Sequence, residues 1–129
     1  RLRKTVGRLA TYLQGYGDLM VATNGWDPDV LARFRADEVV ASVPGAIDAK
    51  ADTATLEHIA TLLPEDWLEP AATGSAQRCA ERVLRQFDLG VDGVIMHGAT
   101  PDELAPVVEA YRPLRPAGRF EGLDPNPGR

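Results

Sequence analysis

The sequence predicts an α/β protein: the C-terminal portion of a (β/α)8 TIM-type barrel, helix-rich with a few short parallel strands. Three observations predict it. Val94-Ile95-Met96 is a continuous apolar run, which suits a strand buried on both faces of a parallel sheet. Ser75 and Thr100 each open an amphipathic helix directly after a strand candidate. The resulting order, strand–helix–strand–helix, is a βαβα unit, which implies neighbouring parallel strands. Two such strands cannot cover both their faces alone, so the remaining strands are expected upstream, in a longer parent. A chain that starts at Arg1 and not at Met fits that expectation.

The elements follow in order. Val6, Leu9, Ala10, Leu13, Tyr16, Leu19 and Met20 recur at steps of three and four, one face of a helix. Gly7, Gly15 and Gly17 weaken it by about 1 kcal/mol each, and a bend is expected near Gly15. Asn24-Gly25 stops it. Asp27 then caps a second helix, with Pro28 at its first position and Asp29 at the positive dipole end. Trp26 and Leu31 are spaced as a hydrophobic staple, and the helix should end near Asp37. Residues 38–51 fit either a further helix or a short strand through Val39–Val43. A helix follows Asp52 or Thr53, with Leu56, Ile59, Ala60 and Leu63 on one face. Pro64 begins a turn that carries Trp67, and Leu68–Thr73 reads as a short strand. The helix from Ser75 sets Ala76, Cys79, Ala80, Val83, Leu84 and Phe87 on one face and ends at Gly90. Thr100-Pro101-Asp102-Glu103 is a capping box, and Pro106 should bend the helix that follows or end its first turn early.

The organisation expected is therefore a barrel segment over residues 1–112, mainly helical in 1–67 and closing with the βαβα unit in 68–112. A loose Pro/Gly-rich tail over 113–129 completes the chain. The 129 residues, 44% hydrophobic and 26% charged, suit one globular domain and exclude a disordered or fibrous chain. A formal net charge of −5 argues against nucleic acid. No apolar run reaches the length of a membrane helix, and the basic N-terminus lacks a signal-peptide core. Cys79 is the only cysteine, which excludes an internal disulfide and points to the cytoplasm.

Thr73-Gly74-Ser75-Ala76-Gln77 leading into a helix, followed by Phe87-Asp88-Leu89-Gly90-Val91-Asp92-Gly93-Val94-Ile95-Met96-His97, resembles the C-terminal end of luciferase-like monooxygenases. Leu13–Asp18, Asn24–Pro28 and Leu62–Leu68 look more like the coenzyme F-420-dependent branch found in actinobacteria. The resemblance covers residues 9–111, and it implies a barrel oxidoreductase that moves hydride between a deazaflavin and an organic small molecule. FMN with oxygen is the alternative cofactor chemistry, and a non-catalytic helical interaction module on residues 4–67 is the alternative class. Much of the family's cofactor site lies nearer the N-terminus, so this chain alone is not expected to catalyse. The partners expected are a small-molecule substrate, with no nucleic acid or membrane, and a parent open to homo-oligomer formation.

In a barrel, chemistry sits on loops that follow strands. Thr73, Gly74, Ser75 and Ala76 form one such loop. A glycine lets backbone approach an anion and the helix start offers N–H groups, although plain capping by Ser75 is the commoner use. His97 and Gly98 form the other. His97 is the catalytic candidate, able to hydrogen-bond a cofactor or substrate oxygen or to move a proton; a strand-end histidine satisfied by a carbonyl is the structural alternative. No metal site is expected. Asp92 should serve the turn on the opposite barrel face, and His58 should be solvated. Cys79 should be a packed thiol, and Arg78, Arg82 and Arg85 a solvated stripe, with Glu81 pairing Arg85. Tyr12, Tyr16 and Trp26 suit a substrate pocket or, more often, core.

Overall fold

Every regular element in residues 2–122, the part described by the computed structural model, is helical. Eight α-helices run in the order α1 (Val6–Asn24), α2 (Pro28–Ala36), α3 (Glu38–Ser42), α4 (Ile47–Lys50), α5 (Thr53–Leu62), α6 (Glu65–Leu68), α7 (Ala76–Asp88) and α8 (Pro101–Tyr111). Short 3-10 turns occupy Leu2–Lys4 and Arg112–Leu114. The protein is 67% helical with no strand among the described residues, which overturns the expected barrel segment and its parallel strands. The reason lies in how the two structures are stabilised. A helix completes its hydrogen bonds locally, whereas a strand needs a neighbour to complete its ladder. Leu68–Thr73 curls instead into tight turns, with Ala71 N–H donating to the Leu68 carbonyl at 3.2 Å and Thr73 N–H to the Ala71 carbonyl at 2.9 Å. Val94–Met96 is irregular, and Ile95 is 90% exposed. Residues 92–97 are non-helical, as expected, but they are not a strand.

The chain divides into two compact units, one ending at Thr73 and the other beginning at Gly74. In the first, α1, α2 and α5 enclose an apolar core in which Leu13, Phe34, Ile47 and Ile59 are fully buried. Gly7 and Gly17 prove to be contact positions. A Cβ on Gly17 would lie 2.6 Å from Leu31 Cδ1, and one on Gly7 would lie 3.2 Å from the Asp48 Cα. The bend of α1 falls at Tyr16 (φ −128, ψ 16), beside the expected Gly15. Gly25 ends the helix in the left-handed conformation at φ 64. Asp27 caps α2 through a 2.9 Å bond from Asp29 N–H, and Asp52 caps α5 through a 2.8 Å bond from Thr55 N–H. Trp26 stacks on Trp67 with ring centroids 4.2 Å apart, which ties the α1–α2 corner to α6.

The ambiguous stretch 38–51 forms two short helices, α3 and α4, with no strand through Val39–Val43, and distant side chains hold its second half. Thr11 Oγ1 donates to Asp48 Oδ1 at 3.0 Å and accepts from Asp48 N–H at 2.9 Å. Arg8 Nε pairs with Asp48 Oδ2 at 3.1 Å, and the Arg3 guanidinium donates to the Asp48 and Ala51 carbonyls. Gln14 spans the Gly45 carbonyl and the Ile47 N–H.

Asp37 joins α2 to α3. Its Oδ1 accepts from Val39 and Val40 N–H at 3.0 Å each, and its Oδ2 accepts from His58 Nε2 at 3.0 Å. His58 is therefore a tertiary tie and not a merely solvated side chain. The His58 bond, followed by the Val40 N–H, holds the Asp37 carboxyl below its ordinary value. The Thr55 N–H does the same for Asp52, and Arg35 for Asp18. A depressed carboxylate contributes stability above its unfolded pKa, about 4, and loses it as pH falls through the folded value. Stability of the first unit is accordingly expected to decline as pH drops below about 4. Asp37→Asn should shallow that decline in a pH series of urea melts, and an unchanged slope in the variant would count against the assignment.

In the second unit α7 packs on α8 and buries Cys79, Ala80, Val83 and Phe87. The capping box at Thr100 is present, with Glu103 N–H donating to Thr100 Oγ1 at 3.3 Å and Thr100 N–H to Glu103 Oε2 at 2.8 Å. α8 continues past Pro106 to Tyr111. The expected loose tail is only partly loose. Phe120 packs edge-on against Phe87 at 5.1 Å, and the Arg119 guanidinium sits 5.4 Å over the same ring. The remainder of that tail, residues 123–129, lies outside the described residues.

Candidate functional site

The loop 73–76 begins where the turns after α6 end. Gly74 takes φ +110, a conformation L side chains rarely adopt, and a Cβ there would also press Arg78 Cδ at 3.2 Å. Ser75 is extended (φ −68, ψ 158), and its Oγ accepts from Arg78 N–H at 3.2 Å. The capping reading of Ser75 is thus realised. It leaves the hydroxyl engaged, while the amides of the first turn of α7 have no acceptor within the helix. Gly74 and Ser75 are exposed, and Thr73 and Ala76 are half-buried. These groups suit the approach of a phosphate or carboxylate oxygen to backbone N–H.

His97 and Gly98 lie on the irregular segment between α7 and α8, both exposed, with Gly98 at φ +81. His97 has no hydrogen bond, ion pair or ring contact among the described residues, so the satisfied strand-end alternative is not what is seen. With no strand before it, the place expected of His97 on a loop that follows a barrel strand falls with the barrel, and so does the opposite-face assignment of Asp92. No hydrogen bond among the described residues joins His97 or Gly98 to the 73–76 loop. A cleft of about 380 Å³ in the second unit is lined by Arg112, Arg115, Phe120 and Glu121 among others, and by none of the expected site residues. For an anionic coenzyme the fit is therefore one of donor chemistry at residues 73–76 and 97–98, without an enclosing wall.

The remaining candidates separate cleanly. Trp26 belongs to the core against Trp67, whereas Tyr12 and Tyr16 are exposed on α1, so the three do not share a pocket. Cys79 is 7% exposed, a packed thiol. Glu81 accepts from Gln77 Nε2 at 3.1 Å. No group of three or more His, Cys, Asp or Glu able to hold a metal ion is found among the described residues. Sequence reasoning missed the cleft at Arg112 and Arg115. Its only signal was two arginines and Phe120 in a segment rich in proline and glycine.

No known protein family, curated protein or solved structure matches this chain. Among the described residues no helix is long and apolar enough to cross a membrane.

Proposed function

We propose that this chain is a segment of a coenzyme F-420-dependent oxidoreductase of the luciferase-like kind, acting in the cytoplasm on an organic small molecule. The reading rests on the resemblance of Thr73–Gln77 and Phe87–His97 to that group. The observation that carries it is Gly74 at φ +110 directly ahead of a serine-capped helix, a loop suited to an anion. The bound deazaflavin would supply hydride transfer, while the protein supplies orientation and exclusion of water. Within this chain, Gly74, Ser75 and Ala76 would offer backbone N–H groups to the coenzyme's anionic end, flanked by Thr73. His97, with Gly98 giving it room, would hydrogen-bond an oxygen or move a proton at its imidazole.

The few hydrogen bonds available, each worth about 0.5–1.5 kcal/mol, cannot offset the several kcal/mol lost on immobilising a ligand without enclosing walls. Titration of the 129-residue chain with F-420, followed by deazaflavin fluorescence, is therefore expected to show weak binding or none. In the longer parent, His97→Ala and Gly74→Val should each raise the coenzyme KM. Micromolar binding by the chain alone would mean the site is misplaced, and unchanged kinetics in both variants would sink the proposal. An FMN absorption band in the purified parent would replace F-420 with the flavin alternative.

A second reading, a helical interaction module, is favoured by one observation: a core of buried residues closes entirely within Val6–Trp67. Limited proteolysis that releases this piece as a folded species would support it.

A further inference from the structure

Asn24 and Asn126 are the only asparagines in the chain. Asn126 precedes Pro127, whose nitrogen carries no proton, whereas Asn24 precedes Gly25. With no side chain beside it, a glycine nitrogen reaches a neighbouring carboxamide carbon more readily than other backbone nitrogens do. The Asn24–Gly25 pair closes α1, and both residues are exposed. In the folded chain, however, the reacting groups are engaged elsewhere. Asn24 Nδ2 donates to the Met20 carbonyl at 2.8 Å. Gly25, left-handed at φ 64 and ψ 31, donates its N–H to the Val21 carbonyl. Trp26 N–H reaches the same carbonyl at 3.0 Å, and the Trp26 ring is stacked on Trp67.

We propose that Asn24–Gly25 is a site of spontaneous modification, converted to aspartate or isoaspartate with water as the co-reactant, and that the last turn of α1 sets its rate. The Gly25 nitrogen gives its proton to solvent and bonds to Asn24 Cγ. The Cγ–Nδ2 bond breaks, and that nitrogen takes up a proton and leaves as ammonia. Water then opens the cyclic imide at one carbonyl or the other, and nothing is oxidised or reduced. The first step requires Gly25 N–H to leave the Val21 carbonyl and the Asn24 side chain to leave the Met20 carbonyl. Only chains whose last turn of α1 is open therefore react. A carboxylate at position 24 would stand at the negative end of the helix dipole, with no N–H for the Met20 carbonyl. Isoaspartate also lengthens the main chain ahead of Gly25 by a methylene, which shifts Trp26 away from Trp67. Conversion is thus a one-way mark of past opening at this corner, and it leaves the first unit less stable. The inference does not depend on the coenzyme reading, which its own titration tests separately.

Incubation of the whole chain in mildly alkaline buffer, native and in denaturing urea, tests the proposal. Tryptic peptide 9–33 carries Asn24, and fragment masses locate the gain of an acid for an amide. Conversion should be slower in the native chain by at least about tenfold, because two hydrogen bonds must open first. Ala22 is exposed in the last turn of α1. Ala22→Gly should speed native conversion about fivefold by fraying that turn, with the rate in urea unchanged. The converted protein, separated by anion exchange, should melt at lower urea than the parent. Equal rates in native buffer and urea, no conversion at Asn24 in urea, an unaltered native rate in Ala22→Gly, or an unmoved melting midpoint would each overturn the proposal.

Discussion

Phe34→Ala is expected to be the most damaging single truncation, lowering the stability of the first unit by about 3–5 kcal/mol. Phe34 is fully buried on α2 within the cluster that also holds Leu13, Ile47 and Ile59. Removing its ring takes away transfer energy and leaves a void that these neighbours, fixed on three other helices, fill only in part. The measurement is convenient because both tryptophans, Trp26 and Trp67, lie in the same unit and stack on each other at 4.2 Å. Urea melts read by their fluorescence should move to lower midpoint without a change in slope. A loss below about 1 kcal/mol would place Phe34 outside the core.

The second large effect comes from adding atoms. Gly17→Val should cost about 1–3 kcal/mol. The Cβ alone would lie 2.6 Å from Leu31 Cδ1 and 3.1 Å from an Arg35 nitrogen. Leu31 is 3% exposed and has little room to yield, so α1 and α2 must separate. Separation would also break the two-pronged Arg35–Asp18 bond, whose arms measure 3.0 and 2.8 Å. Gly15→Val is the internal control, since a Cβ there meets nothing. It should be neutral or slightly stabilising, because Gly is a poor helix former. Equal losses in the two variants would mean that helix propensity, and not contact, governs the site.

Local signals in the sequence were translated faithfully into structure. The Asp27-Pro28 and Asp52 starts, the Ser75 cap and the Thr100–Glu103 capping box all stand where their residues place them. Each depends on groups within a few residues of one another, which a sequence displays directly. What failed was what depends on distant chain. Val94-Ile95-Met96 has the composition of a buried strand, but composition does not supply the neighbouring strand. Residues 38–51 were ambiguous because their helices are tied by Thr11, Gln14 and His58, far off in sequence. Gly7 and Gly17 looked like defects of α1 because the atoms pressing on them belong to Asp48, Leu56 and Leu31. Of the candidate site, the Gly74–Ser75 geometry was legible for the same local reason. The exposure of His97 was not, since its surroundings were inferred from a sheet that is not observed.

The grip of α1 on the 45–51 segment also has a kinetic side. A four-residue helix such as α4 has no stability of its own. Two of its amide protons, those of Ile47 and Asp48, are bound by the side chains of Gln14 and Thr11 and not by backbone carbonyls. They can exchange with solvent deuterium only when α1 lifts away or these side chains let go. The protection of this short segment therefore reports the opening of the longest helix in the first unit, and the two should behave as one cooperative unit, closing and opening together.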